Sequence, residues 1–151
     1  MRNDELHEAL TVLGIGMQTS NDVAFDTVPA HWQRFFELGG PDMVTDRIGD
    51  EIYAVYSEFE HEGLDNSGTY TFVIGALVPA GTVPSDGLQV AVVPASQRVI
   101  FDVEAGRPDL VGEQWQQIWS HHDIDKTFVA EYEKYATDGA ITISIGVRPQ
   151  P

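Results

Sequence analysis

Trp115-Gln116-Gln117-Ile118-Trp119 repeats the pattern of Trp32-Gln33-Arg34-Phe35-Phe36: a Trp-Gln pair, then an aromatic ring one helical turn beyond the tryptophan. Two more phrases recur in the same order. Ala54-x-Tyr56-x-x-Phe59 returns as Ala130-x-Tyr132-x-x-Tyr135, and Thr71-x-x-Ile74-Gly75 returns as Thr142-x-x-Ile145-Gly146. From 32 to 115, 54 to 130 and 71 to 142 the offsets are 83, 76 and 71. A drifting offset with conserved order predicts two related halves with loops of unequal length. Such halves pack about a pseudo-two-fold axis, and the groove between them suits a ligand.

Working outward, the polar start Met1 to Glu8 reads as frayed. Leu10 to Thr19 is a strand in which Gly14 and Gly16 suggest a bulge or close packing. Asn21 to Thr27 reads as a loop, and Pro29 sits near the start of a helix that Gly39-Gly40-Pro41 ends. Met43 to Ile48 has no clear period. Ile52 to Phe59 and Tyr70 to Val78 form a predicted hairpin, joined by a turn rich in Gly, Asp and Asn. Pro79 to Gly87 is the seam between the halves. Leu88 to Val93, Arg98 to Glu104, Thr127 to Tyr135 and Ala140 to Val147 read as strands, and Pro108 to Ser120 as a helix. The pattern predicts one α+β domain over residues 1–151, with pseudo-repeats at about 9–78 and 88–148. Each half is strand, helix, strand, strand, and the sheet is mostly antiparallel with two main helices.

The chain has 151 residues, 42% of them hydrophobic, enough for a real core. Its 24 acidic and 8 basic residues give a formal charge of −16. That field repels phosphate backbones, which argues against direct nucleic-acid binding, and it attracts cations. The absence of cysteine excludes disulfides, a thiol nucleophile and cysteine-ligated zinc. The acidic start does not resemble a signal peptide, and no apolar run is long enough to span a membrane. A cytoplasmic location is the expectation.

Alternate residues of a strand share a face, so Glu131, Glu133 and Tyr135 point together while Tyr132 and Lys134 point away. By the 76-residue offset, the related face of the first half carries Tyr53, Val55, Ser57 and Phe59. If the two faces meet, one or two carboxylates lie among rings, poorly solvated until a positive partner arrives. Read from the residues alone, either glutamate suits a solvated edge strand equally well. Trp32, Phe36, Trp115 and Trp119 suit the core or the groove wall, and Tyr53, Tyr56 and Tyr70 offer hydroxyls as polar handles. His121-His122-Asp123 with Asp125 fits no standard metal-ligand spacing. Gly14-Ile15-Gly16 lacks the third glycine of a dinucleotide loop, and no nucleophile is visibly paired with a base. No cofactor is expected.

In order along the chain, Gly14, Pro29-x-x-Trp32-x-x-Phe35, Ile52-Tyr53-x-Val55-Tyr56, Tyr70 to Gly75, Val93-Pro94-Ala95, Phe101 with Gly106, Trp115-x-x-Ile118-Trp119, Tyr132-Glu133-Lys134-Tyr135 and Ile143-x-Ile145 resemble the gyrase-inhibitor-like small-molecule-binding domain. This is also the effector-binding domain of AraC-type and MerR-type transcription activators. The resemblance spans about residues 9 to 148 and implies the stand-alone form. It implies a duplicated fold that takes lipophilic, often cationic or aromatic compounds in a central groove. The family's Phe-Glu-x-Tyr is matched by Tyr132-Glu133-Lys134-Tyr135, with Tyr in place of Phe. The resemblance favours Glu133 as the ligand-facing acid, and Glu131 stays open as the alternative.

Three functions fit these readings. The first is capture of hydrophobic cations by Glu133 and rings of both halves, or their sensing for a separate protein partner. The second is hydrolysis of electrophilic small molecules by Glu133 with Tyr53, Tyr56 or Tyr135 as proton donor. The third is an acidic interaction or inhibitor module.

Overall fold

A computed structural model describes residues 1–85 and 87–149; Asp86, within the expected seam, and the last two residues lie outside them. The chain forms one eight-stranded sheet with two helices. The strands are β1 (Arg2–Leu6), β2 (Leu10–Ser20), β3 (Ile52–Ser57), β4 (Thr69–Leu77), β5 (Gln89–Val93), β6 (Ser96–Val103), β7 (Ala130–Tyr135) and β8 (Ile141–Gly146). The helices are α1 (Ala24–Glu37) and α2 (Val111–Trp119), the second entered through a 3-10 turn at Pro108–Leu110. Among the described residues, no helix is long and apolar enough to cross a membrane.

The sheet order is β1-β6-β8-β7-β3-β4-β2-β5, and every pairing is antiparallel. Exchanging the two halves reverses this order onto itself, so the pseudo-two-fold axis passes between β3 and β7. Each half is the expected strand-helix-strand-strand unit with one further strand in front of it. That leading strand is exchanged: β1 pairs with β6 of the second half, and β5 pairs with β2 of the first.

β1 corrects the expectation of a frayed start. Its sequence, Arg-Asn-Asp-Glu-Leu, has no apolar alternation and is exposed for most of its length. It is ordered by the ladder that β6 offers, with Arg2 opposite Ile100 and Leu6 opposite Ser96. A second correction concerns α1, which begins at Ala24 rather than after a loop ending at Thr27. Pro29 lies inside the helix, where its missing N–H deprives only the carbonyl of Phe25, a residue exposed at the helix start. Gly39 and Gly40, at φ +114° and +63°, end the helix as expected.

Both helices cover one face of the sheet. α1 buries His31 and Phe35 over β2 and β4. The buried, neutral His31 donates from Nε2 to the carbonyl of Ile15 at 2.9 Å, tying helix to strand. Burial pushes its pKa down, which favours the neutral ring. α2 buries Val111, Trp115 and Ile118 against Phe101 of β6 and Ile141, Ile143 and Ile145 of β8. On the opposite face, Tyr53, Val55, Ala130 and Tyr132 pack with Ala91 and Val93 of β5 and Leu6 of β1. The swapped edges thus curl over the central strands.

The glycines of β2 mark close packing. Gly14 stands opposite Gly75, and a Cβ on Gly75 would lie 2.0 Å from the backbone oxygen of Leu13. Only backbone is there to yield, so the pair sets how closely β2 and β4 approach. Gly75→Ala should lower the unfolding free energy in urea by about 3 kcal/mol. Gly112→Ala, whose Cβ would meet nothing within 4 Å at an exposed position of α2, should raise it by about 0.5–1 kcal/mol.

Candidate functional site

The helices stand over β2/β4 and over β6, and leave β3 and β7 uncovered between them. A cavity of about 1050 Å³ opens there. Its walls are the recurring helical phrase used twice. Trp32 and Phe36 of α1 stack at 6.0 Å on one side, and Trp115 and Trp119 of α2 lie at 6.0 Å on the other. The i, i+4 spacing puts each pair on one helical face.

The floor follows from the register of β3 and β7. Ala54 is opposite Glu133, Tyr56 opposite Glu131, and Ile52 opposite Tyr135. Directly opposed residues share a face, so Ile52, Tyr56, Glu131, Glu133 and Tyr135 all line the cavity. Tyr53 and Val55 do not: they belong to the cluster beneath the sheet, where the Tyr53 ring meets Tyr132 at 5.9 Å. This corrects their expected place at the groove. The cause is one residue of offset. Tyr56 pairs with Phe72 and Glu133 with Ile143, while Phe72 and Ile143 are 71 apart like the Thr-Ile-Gly phrase. Tyr56 and Glu133 are therefore counterparts, 77 residues apart rather than 76, and a one-residue slip reverses the face of every side chain. Phe59 lines the cavity nonetheless. β3 stops at Ser57, and Glu58 takes a left-handed φ of 53°, which breaks the alternation and returns the next ring to the cavity. Tyr70 of β4 completes the floor, its hydroxyl donating to Asn21 Oδ1 at 2.9 Å.

Glu133 is 1% exposed and accepts three hydrogen bonds. Tyr56 Oη donates to Oε2 at 2.6 Å, Trp115 Nε1 to the same oxygen at 2.7 Å, and Tyr135 Oη to Oε1. Burial raises its pKa, and the bonds from Tyr135, Tyr56 and Trp115 oppose that rise. Burial, reinforced by the Glu133 charge, lifts Tyr56 and Tyr135 well above the usual phenol range. Tyr70 is pushed up to about 12 for the same two reasons. All three phenols keep their protons and serve as donors.

Glu131, 4% exposed, differs in kind. Among the described residues no group donates a hydrogen bond to it. Burial raises its pKa to about 7, opposed only through space by Arg98 and Lys126. Neither cation contacts it. Arg98 is buried beneath the sheet, donating to Ser144, Ser96 and the Ala130 carbonyl, with its guanidinium 5.3 Å from the Tyr132 ring. Lys126 Nζ donates to the His121 carbonyl. The residues lining the cavity include no Arg, Lys or His.

Sequence reasoning did not foresee Asn21, Phe25, Val28, Asn66, Pro108 and Val111 in the lining. The missed start of α1 accounts for Phe25.

The family model Cass2, integron-associated effector binding protein, matches residues 5–147. The fold is similar to that of the integron cassette protein VCH_CASS2 from the mobile metagenome of Vibrio cholerae. The TM-score is 0.78 at 19% identity, over 97% of this chain and 95% of that one. It is similar also to SAV2435, solved bound to tetraphenylphosphonium, with a TM-score of 0.78 at 16% identity, over 97% and 93% of the two chains. No curated protein matches the sequence.

Glu131 gives the fold a pH signature. Its folded pKa of about 7 lies above the ordinary value of 4.5, so the folded chain holds this proton more tightly than the unfolded one. The stability it contributes is complete below pH 4.5, falls between 4.5 and 7, and is gone above 7. Glu131→Gln should therefore match the parent in thermal unfolding near pH 4. At pH 8 it should exceed the parent by on the order of 3 kcal/mol.

Proposed function

The chain belongs to the integron-associated effector-binding proteins, and from that premise we propose that it captures lipophilic cations in the cavity between its helices. The observation that carries this reading is the Glu133 carboxylate. It is buried, oriented by three donors, and without a basic partner among the residues around it. A buried charge of this kind is costly when it faces only neutral groups, and a cation entering the cavity relieves that cost.

The aromatic walls act in the same direction. Trp32, Phe36, Trp115 and Trp119 line the cavity, and a desolvated ring contributes about 0.5–2 kcal/mol to a cation placed over its face. They also bury the apolar surface of the ligand, which supplies affinity without demanding one shape. A rigid charge at the floor with broad rings above it selects for sign and greasiness rather than for a particular scaffold. The chain's net charge of −16 draws cations towards the mouth. The tetraphenylphosphonium held by SAV2435 is a ligand of this chemistry on the same fold.

Calorimetry with tetraphenylphosphonium and tetraphenylborate, nearly the same shape with opposite charge, tests the proposal. The phosphonium should bind in the micromolar range and the borate at least a hundredfold more weakly. Glu133→Gln should cost the phosphonium about tenfold to a hundredfold, and Trp119→Ala, at the half-exposed rim, a smaller factor with the fold intact. Equal binding of the two ions, or unchanged phosphonium binding in a folded Glu133→Gln protein, would refute it.

A further inference from the structure

Two carboxylates share the floor of this cavity, and the protein treats them differently. Glu133 has both oxygens engaged by Tyr56, Trp115 and Tyr135. Glu131, two residues earlier on the same strand face, is 96% buried by its 4% exposure and receives no hydrogen bond from the described residues. Every fully enclosed side-chain oxygen or nitrogen among them has a partner. The partnerless oxygens of Glu131 must therefore reach the accessible surface of the cavity. Strand geometry sets the two residues roughly 7 Å apart.

Resting on the cation-capture reading, we infer that the cavity accommodates a ligand with two cationic groups. One is placed over Glu133, and the other, bearing N–H, is hydrogen-bonded to Glu131. The chemical class is a lipophilic diamine whose charges are separated by about the spacing of the two acids.

The division of labour follows from the hydrogen-bond inventory. Glu133, with three donors in place, offers charge to a cation but little room for another N–H. Glu131 has unused lone pairs on both oxygens and nothing in the protein to fill them. Its nearest cations are committed elsewhere, Arg98 to Ser144 and Ala130 and Lys126 to the His121 carbonyl. A quaternary ion without N–H satisfies Glu133 and leaves Glu131 desolvated. An ammonium at the second position satisfies it. The raised pKa of Glu131 is the free-protein counterpart of the same deficiency, since without a ligand it meets part of the cost by holding a proton.

A matched pair in which only one member carries N–H at the second position provides the test: 4-(trimethylammoniomethyl)benzylamine against (4-methylbenzyl)trimethylammonium, titrated calorimetrically at pH 8 with tetraphenylphosphonium as reference. The dication should bind at least tenfold tighter than the quaternary monocation. Glu131→Gln should abolish that advantage, and Glu131→Asp should restore part of it. On the unmutated protein at pH 7, titration in two buffers of different ionisation enthalpy should show more proton release with the dication than with the monocation, which keeps the test independent of how the variants fold. Equal affinity for the two, an advantage that survives Glu131→Gln, or no dication-specific proton release would overturn the inference. If the phosphonium binds and neither of the pair does, the inference fails and cation capture stands. If the phosphonium fails as well, both fall.

Discussion

The antiparallel pairing of β3 with β7 is the constraint on which the rest of the molecule depends. It joins two four-stranded sets into one sheet and places the pseudo-two-fold axis between the central strands. It also decides which side chains face the helices. With Ala54 opposite Glu133 and Tyr56 opposite Glu131, both acids and the phenol that binds one of them fall on the uncovered face. The helices then leave a gap above these strands, because each packs over the outer strands of its own half.

The site is thus a product of two related halves that differ at its centre. Tyr56 and Glu133 are counterparts, and the structure links them through a 2.6 Å hydrogen bond across the axis. One half supplies the donor and the other the acceptor, which two identical residues could not do as well. The tryptophan phrases keep their symmetry and build matching walls. Symmetry therefore makes the enclosure, and its departure at the centre makes the charge.

Much of the fold was legible because it rests on local pattern. The aromatic and β-branched runs of β3 and β4, the glycines after α1 and the recurring phrases all carry their structure in adjacent residues. Other features depend on tertiary partners. β1 is polar and forms only because β6 provides a ladder. Glu133 stood out through the motif around it, and its three donors come from two strands and a helix that no spacing connects. Tyr53 and Val55 face away from the cavity, and the 76-residue phrase match hides the one-residue shift in strand register that puts them there. Phe59 reaches the cavity through the left-handed turn at Glu58, a residue type that gives no sign of that conformation. The isolation of Glu131 reflects where Arg98 and Lys126 spend their hydrogen bonds, which is invisible in the order of residues.

The exchanged leading strands carry a consequence for how anything gets inside. Three ladders run between the halves: β1 with β6, β2 with β5, and β3 with β7. Swinging the halves apart like a clamshell would tear all three at once. Entry comes instead from above the sheet, through the gap between α1 and α2 and past the exposed rim rings Phe25, Phe36 and Trp119. The scaffold is a dish whose floor cannot widen without breaking strand pairs, so the span between the two helices limits guest size.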